Sequence, residues 1–241
     1  MQAKKKLFRT LGVIFFSIGI LAGMVMFILM NWAYFEADFY FGYTFPADKT
    51  LTTLRCPLLM TSSETGAVTA SITNNTDLDL SILVRTEISY FGAATSESVS
   101  YPVAVGETRR LSWTVTSDDI AYGHLIMARV YVFNSYTLPS RTNTCGTVVV
   151  GLPGLTGIQL FIIVLALSLI SLAAGWGLWL AGSRPLHVEG FIGMRAMIIL
   201  TAVVLLGILA GCLGLWGLGL ICCVASVLLI FSVVGYYIQK A

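Results

Sequence analysis

Two histidines, five cysteines and twelve acidic residues make up the chemical inventory of this 241-residue chain, and few of them stand together. His124 lies in AYGHLIMARV and His187 in RPLHVEG. The topology derived below places them on opposite sides of a membrane, so they cannot act as a pair. Cys222 and Cys223 are vicinal and, with Cys212, sit in a long apolar run. A quinone-linked membrane thiol oxidoreductase needs reactive thiols poised as thiolates near the membrane surface. Hydrocarbon disfavours a thiolate, so these cysteines read as soft packing residues.

Asp77 and Asp79 beside Asn74 and Asn75, and separately Asp118 with Asp119, could offer oxygen ligands to calcium. Asn and Asp equally favour turns, which accounts for both groups without a metal. The triplet Asn74-Asn75-Thr76 is a glycosylation sequon, meaningful in a eukaryotic host. No phosphate-binding loop, H-E-x-x-H, C-x-x-C or G-x-S-x-G is present. The expectation is a protein without catalytic, cofactor or metal residues, and not an enzyme.

The elements that would position any site follow from charge. Charged residues make up 11% of the chain, against about 25% in ordinary globular domains. Hydrophobic residues make up 57% and the mean hydropathy is +0.86, so the deficit reflects oil and not disorder. The runs 10–31, 145–183 and 196–239 contain no Asp, Glu, Lys or Arg. A bilayer core of roughly 30 Å takes about 20 apolar residues per helix. The predicted organisation is a basic N-terminus at 1–9, transmembrane helices at 10–30, 155–181, 196–213 and 217–238, a cytoplasmic loop at 182–195 and an outer block at 31–154. The last two helices form a hairpin that turns within GCLGLWGLG.

Residues 1–9, the loop and the C-terminal tail hold seven Lys and Arg against one acid, Glu189. The outer block holds seven basic residues against eleven acids, a net of −4. The positive-inside rule therefore puts both termini in the cytoplasm and residues 31–154 outside the plasma (inner) membrane. The first apolar stretch is longer than a signal-peptide core, which favours an uncleaved signal anchor.

The outer block alternates with period two. AVTASITN puts Val68, Ala70 and Ile72 on one face, and LSILVRTEISY does the same for Leu80, Ile82, Val84, Thr86 and Ile88. RLSWTVT aligns Leu111, Trp113 and Val115, and LIMARVYVF aligns Ile126, Ala128, Val130 and Val132. Turn residues separate these segments, as expected of an antiparallel β-sandwich. The order VTASITNNTD, VRTEI, VAVGETRRLSWTV, ARVYVF resembles the bacterial immunoglobulin-like domains of the CARDB and NEW3 kind. That resemblance covers about 67–133 and implies a bacterial host and a spacer or binding module on an extracytoplasmic protein. It carries over no functional residue.

Cys56 and Cys145 are the two cysteines outside the predicted spans and lie at the ends of the strand region. In an oxidising compartment they are expected to form a disulfide. Just before them, NWAYFEADFYFGYTFP concentrates Trp32, Tyr34, Phe35, Phe39, Tyr40, Phe41, Tyr43 and Phe45. Two readings stay open for this cluster: an interfacial belt with domain packing, or contact with another protein.

Within the spans, Gly19 with Gly23, Ser171 with Gly175, and Gly207 with Gly211 are small residues at helix-packing spacing. No charged group and no histidine lies there, which argues against an ion-coupled transporter; Gln159 is the most polar side chain. The leading expectation is an integral membrane accessory or scaffold subunit of a bacterial envelope complex. It would bind a partner through its outer sandwich, with membrane lipids and other membrane or envelope subunits as company, no nucleic acid, and homo- or hetero-oligomers both open. A membrane transporter or lipid-handling protein is the alternative, and a membrane thiol redox protein the third reading.

Overall fold

The computed structural model describes residues 2–42, 46–91, 93–135, 138–183 and 188–238. The chain forms two compact units, Met1–Asn31 with Phe161–Ala241, and Trp32–Leu160.

Among the described residues, four helices are long and apolar enough to cross a membrane: α1 (Gln2–Phe41), α2 (Gly157–Gly182), α3 (Val188–Leu213) and α4 (Trp216–Ile238). α1 has 40 residues, about 60 Å at 1.5 Å per residue, twice the thickness of a hydrocarbon core. The span expected at 10–30 is therefore only its middle. Charge marks where a helix leaves lipid, whereas backbone stops where its chemistry stops. Nothing in the sequence breaks α1 until Gly42, whose φ of +56° and N–H on the Asp38 carbonyl (3.1 Å) end it.

α2 begins at a capping box. The Thr156 hydroxyl accepts from the Gln159 N–H (3.3 Å), and the Gln159 side chain accepts from the Thr156 N–H (3.0 Å). This accounts for the one amide in the predicted span. α3 starts at Val188, eight residues before the expected 196, so part of the loop placed at 182–195 is helix. Gly214 separates α3 from α4 at φ +71°, and the Leu215 N–H reaches back to the Ala210 carbonyl (2.9 Å) in a Schellman turn.

α1 and α2 meet through glycine. A Cβ added at Gly12 would stand 2.5 Å from the Trp179 backbone nitrogen, and one at Gly175 would stand 2.5 Å from that of Phe16. Gly19 faces Leu172 and Gly182 faces Arg9 in the same way. The pairs 9 with 182, 12 with 179, 16 with 175 and 19 with 172 step along one antiparallel register. The buried Ser168 hydroxyl donates to the Gly19 carbonyl (2.8 Å) across it.

In the second unit, the described residues after the end of α1 form eight strands: β1 (Lys49–Thr50), β2 (Leu59–Thr61), β3 (Gly66–Thr73), β4 (Leu80–Tyr90), β5 (Ala93–Val103), β6 (Thr108–Val115), β7 (Leu125–Val132) and β8 (Arg141–Val150). The larger sheet runs β1-β8-β7-β4-β5 with β2 also on β8; β3 and β6 form a second, two-stranded sheet. β1 and β2 pair with β8 in parallel, and the other pairings are antiparallel. The result is a sandwich-like β domain on a mixed sheet.

The expected inward faces are buried at Val68, Ala70, Ile72, Ile82, Val84, Leu111, Val115, Ile126, Ala128, Val130 and Val132. β7 departs from simple alternation, because Leu125, Met127 and Arg129 on its other face are buried as well. The cover on that face is the end of α1.

Candidate functional site

Residues 32–41 of α1 belong to the β unit and divide an aromatic cluster by helical geometry. Ala33, Ala37 and Phe41 recur every fourth residue and form one stripe. They pack with Ala121, Leu125, Met127 and Val148 into a buried cluster, against which Tyr40, Leu59 and Val150 also rest. The alanines let helix and sheet approach closely. At Gly146 of β8 a Cβ would overlap the Ala33 carbonyl, so the strand carries no side chain there.

A charged lock closes the same interface. Glu87 of β4 and Arg129 of β7 are cross-strand partners and form a salt bridge with both side chains 8% exposed. Arg85 adds a second guanidinium to Glu87 at 2.8 Å. Arg129 Nη1 donates to the Phe41 carbonyl (2.9 Å), and its guanidinium carbon lies 5.1 Å from the Phe41 ring centroid. The final carbonyls of a helix lack intrahelical donors and carry the negative end of its dipole, so a cation there supplies both needs. Ser89, fully buried, donates to the Asp119 carbonyl (2.7 Å) and accepts from the Met127 N–H (2.9 Å).

What stays outside is narrower than the eight aromatics of the sequence. Tyr34 and Phe41 are buried (8% and 7% exposed) and cannot reach a partner, because they lie on the sheet-facing side of α1. Tyr40 is half-buried and packs edge-on against Tyr122 at 6.0 Å. Trp32 and Phe39 are 52% and 77% exposed. Phe35 bridges them, with ring centroids 5.7 Å from Trp32 and 6.4 Å from Phe39. Trp32, Phe35 and Phe39 thus form an aromatic ridge along one helix face. Tyr43 and Phe45 lie outside the described residues.

Cys56 and Cys145 are joined in a disulfide, Cα atoms 5.9 Å apart and 89 residues apart in sequence. Closing a loop of that length contributes about 4–5 kcal/mol on the chain-entropy account. Cys145 lies within β8 and Cys56 just before β2, so the bridge fixes the chain entering the sheet to its last strand. Nearby, the Asp48 carboxylate accepts from the Ser140 hydroxyl (2.7 Å) and N–H (2.9 Å). These bonds hold its pKa below the ordinary value, the hydroxyl contributing most.

The remaining chemical candidates are structural where the structure describes them. Asn74 is fully buried, its amide donating to the Leu78, Val103 and Ala104 carbonyls and its oxygen accepting from Thr76, which closes the sequon to a glycan. Asp79 accepts from the Val105 N–H, and Asp119 makes a capping box with Thr116. His124 is exposed in the turn before β7, and His187 lies outside the described residues. Among the described residues no group of three His, Cys, Asp or Glu side chains could hold a metal ion. Cys222 is buried within α4.

Of the predicted packing positions, Gly19 and Gly175 lie at the contact of α1 with α2. Gly23 meets Val204 and the Ser168 hydroxyl, Gly207 meets the Phe27 ring, and Ser171 is buried. Gly211 meets Met30 and Asn31, and Gly219 also makes room for Asn31. Asn31, assigned by sequence to the outer block, is in fact buried in the helical unit, donating to the Phe27 carbonyl (2.7 Å) and the Gly207 carbonyl (3.4 Å). Gly12 and Gly182 escaped the sequence search because they sit seven residues from Gly19 and Gly175, not four.

No family model matches the chain, and no curated protein does. Among solved structures it is similar to the CARDB domain of a Pyrococcus furiosus protein, determined in complex with di-metal ions, at 14% identity and a TM-score of 0.31. That alignment covers 40% of this chain and 84% of the other. It is also similar to part of a β-glucosidase from Listeria innocua, at 16% identity and a TM-score of 0.30, covering 40% of this chain and 15% of that enzyme. At these scores the likeness bears on neither ligand nor activity.

Proposed function

We propose that this chain is a non-enzymatic integral membrane protein whose helical unit anchors a β domain outside the plasma (inner) membrane. That domain engages another membrane or envelope protein, as an accessory or scaffold subunit of a larger complex. The exposed rings of Trp32 and Phe39 carry the reading, because they stand on the helix face opposite the one packed on the sheet.

The helical unit supports the anchor. Leu21, Ile170, Ile221, Leu228 and Phe231 are each more than 60% exposed, which lipid tolerates and water does not. The charge bias puts both termini in the cytoplasm and the β domain in a compartment where the Cys56–Cys145 disulfide persists. Trp32 follows directly on the uncharged run and suits the headgroup level. Phe39 lies seven residues further along α1, about 10 Å beyond it. Trp32 and Phe35 then serve as belt, and Phe39 meets the partner.

A photo-cross-linking residue at Phe39, in native membranes, is expected to give a discrete heavier adduct, whereas the same probe at exposed Leu78 gives none. Equal labelling from the two positions, or none from either, removes the partner reading. The lipid-handling alternative draws support from a cavity in the helical unit.

A further inference from the structure

The helical unit carries a half-open cavity of about 430 Å³ lined by residues of α1, α3 and α4 and by Trp179 of α2. On α1 the lining residues are Arg9, Val13, Phe16 and Ser17, one helical face about 12 Å long. The α3 and α4 walls are apolar, Leu200 and Val233 among them. Volume and lining match a ligand site: mostly hydrophobic, with one charged group to orient the guest.

The antiparallel register of α1 and α2 sets Arg9 beside Gly182. The chain enters α3 from that same end, bringing Arg195, and Lys4, Lys5 and Lys6 precede Arg9 on α1. In the whole sequence of this unit Glu189 is the only acid. The cavity therefore has a greasy lining, and Arg9, its one charged residue, belongs to a strongly cationic stretch of the unit. A zwitterionic lipid satisfies the first feature but not the second.

We propose that this cavity binds one anionic phospholipid of the cytoplasmic leaflet, an acyl chain lying along Val13, Phe16 and Leu200 and the phosphate held by Arg9. A guanidinium suits a phosphate because its planar fork donates two parallel hydrogen bonds. Juxtamembrane cations between helices recognise acidic headgroups through the same electrostatics. The inference rests on the membrane insertion proposed above.

The test is native mass spectrometry of the full chain released from detergent, with dioleoyl phosphatidylglycerol or phosphatidylcholine added. Wild type is expected to retain the anionic lipid about tenfold better. Arg9→Gln should cut that retention roughly fivefold while Lys6→Gln, losing the same charge off the cavity wall, changes it less than about twofold. Arg9→Lys should recover part of it, and Ala196→Phe, which fills the cavity, should abolish retention of both lipids. Equal retention of the two lipids, equal effects of Arg9→Gln and Lys6→Gln, or undiminished binding in Ala196→Phe overturns the proposal. A chain that stays soluble and folded without detergent instead refutes membrane insertion itself.

Discussion

Glu87→Gln is the sharpest probe of how α1 is held to the sheet. The change keeps the shape of the side chain and removes its charge. It takes from the Arg129 guanidinium, 8% exposed, the negative charge of its cross-strand partner and leaves a neutral amide oxygen in its place, beside the Phe41 carbonyl and ring. Removing one member of a buried pair typically costs about 3–5 kcal/mol, most of it the penalty of a stranded charge. Arg85→Gln removes the other partner of Glu87, but that side chain is 31% exposed and its loss should cost about 0–1 kcal/mol. Glu87→Leu combined with Arg129→Met removes both charges of the buried pair; it takes a donor from the Phe41 carbonyl and the carboxylate from the part-exposed Arg85, a loss of about 1 kcal/mol. The β domain's melting, followed by near-ultraviolet circular dichroism on the detergent-solubilised chain, should fall by roughly 10–20 °C in Glu87→Gln, using the usual few degrees per kcal/mol. The double variant should stay within about 5 °C of wild type. A Glu87→Gln protein that melts with the wild type, or a double variant as unstable as the single, would show that the pair is not what fixes the helix end.

Two further outcomes follow from other contacts. Gly175→Ala places a methyl 2.5 Å from the Phe16 backbone nitrogen, whereas Gly177→Ala meets nothing within 4 Å. The first should lose about 1–3 kcal/mol of bundle stability and the second gain up to about 1 kcal/mol from helix propensity, read as thermal stability in detergent; matching behaviour of the two would discard the α1–α2 register. Asp48, its pKa depressed chiefly by the Ser140 hydroxyl, stabilises the fold fully above the unfolded carboxylate value near 4, and that contribution fades as pH falls through the lowered value. Ser140→Ala should therefore be less stable than wild type at pH 7, with the gap in urea midpoint narrowing at pH 3 and below; a constant or widening gap contradicts the assignment.

Legibility from sequence tracked how one-sided each element is. β3, β4 and β6 bury one face against the sandwich interior, and period two reveals that face directly. β5 has no such face. As the sheet's edge strand it is exposed on both sides over most of its length, so AATSESVSYPV shows no buried face and is not among the expected strands, although it pairs with β4 along eleven residues. β8 hides its period for the opposite reason: its second half is covered on both faces, so TVVV shows no alternation, although it falls within the expected outer block. The hairpin of α3 and α4 was legible because glycine supplies both its turn and its stop.

The aromatic segment shows the deeper limit. Composition marks residues 32–41 as unusual but cannot assign them, since a belt, a core and a docking face all favour aromatic rings. Spacing assigns them only once the backbone is known to be helical, and nothing local to the segment declares that. The deciding signal lies far along the chain: Leu125, Met127 and Arg129 occupy the outward positions of β7, where a solvated strand would carry polar residues and no buried ion pair. Outward-facing apolar residues on a central strand require a cover, and the stripe Ala33, Ala37 and Phe41 supplies it. Once that stripe is committed to the sheet, helical geometry turns Trp32 and Phe39 away from it, and their exposure is the consequence of how the sheet is covered.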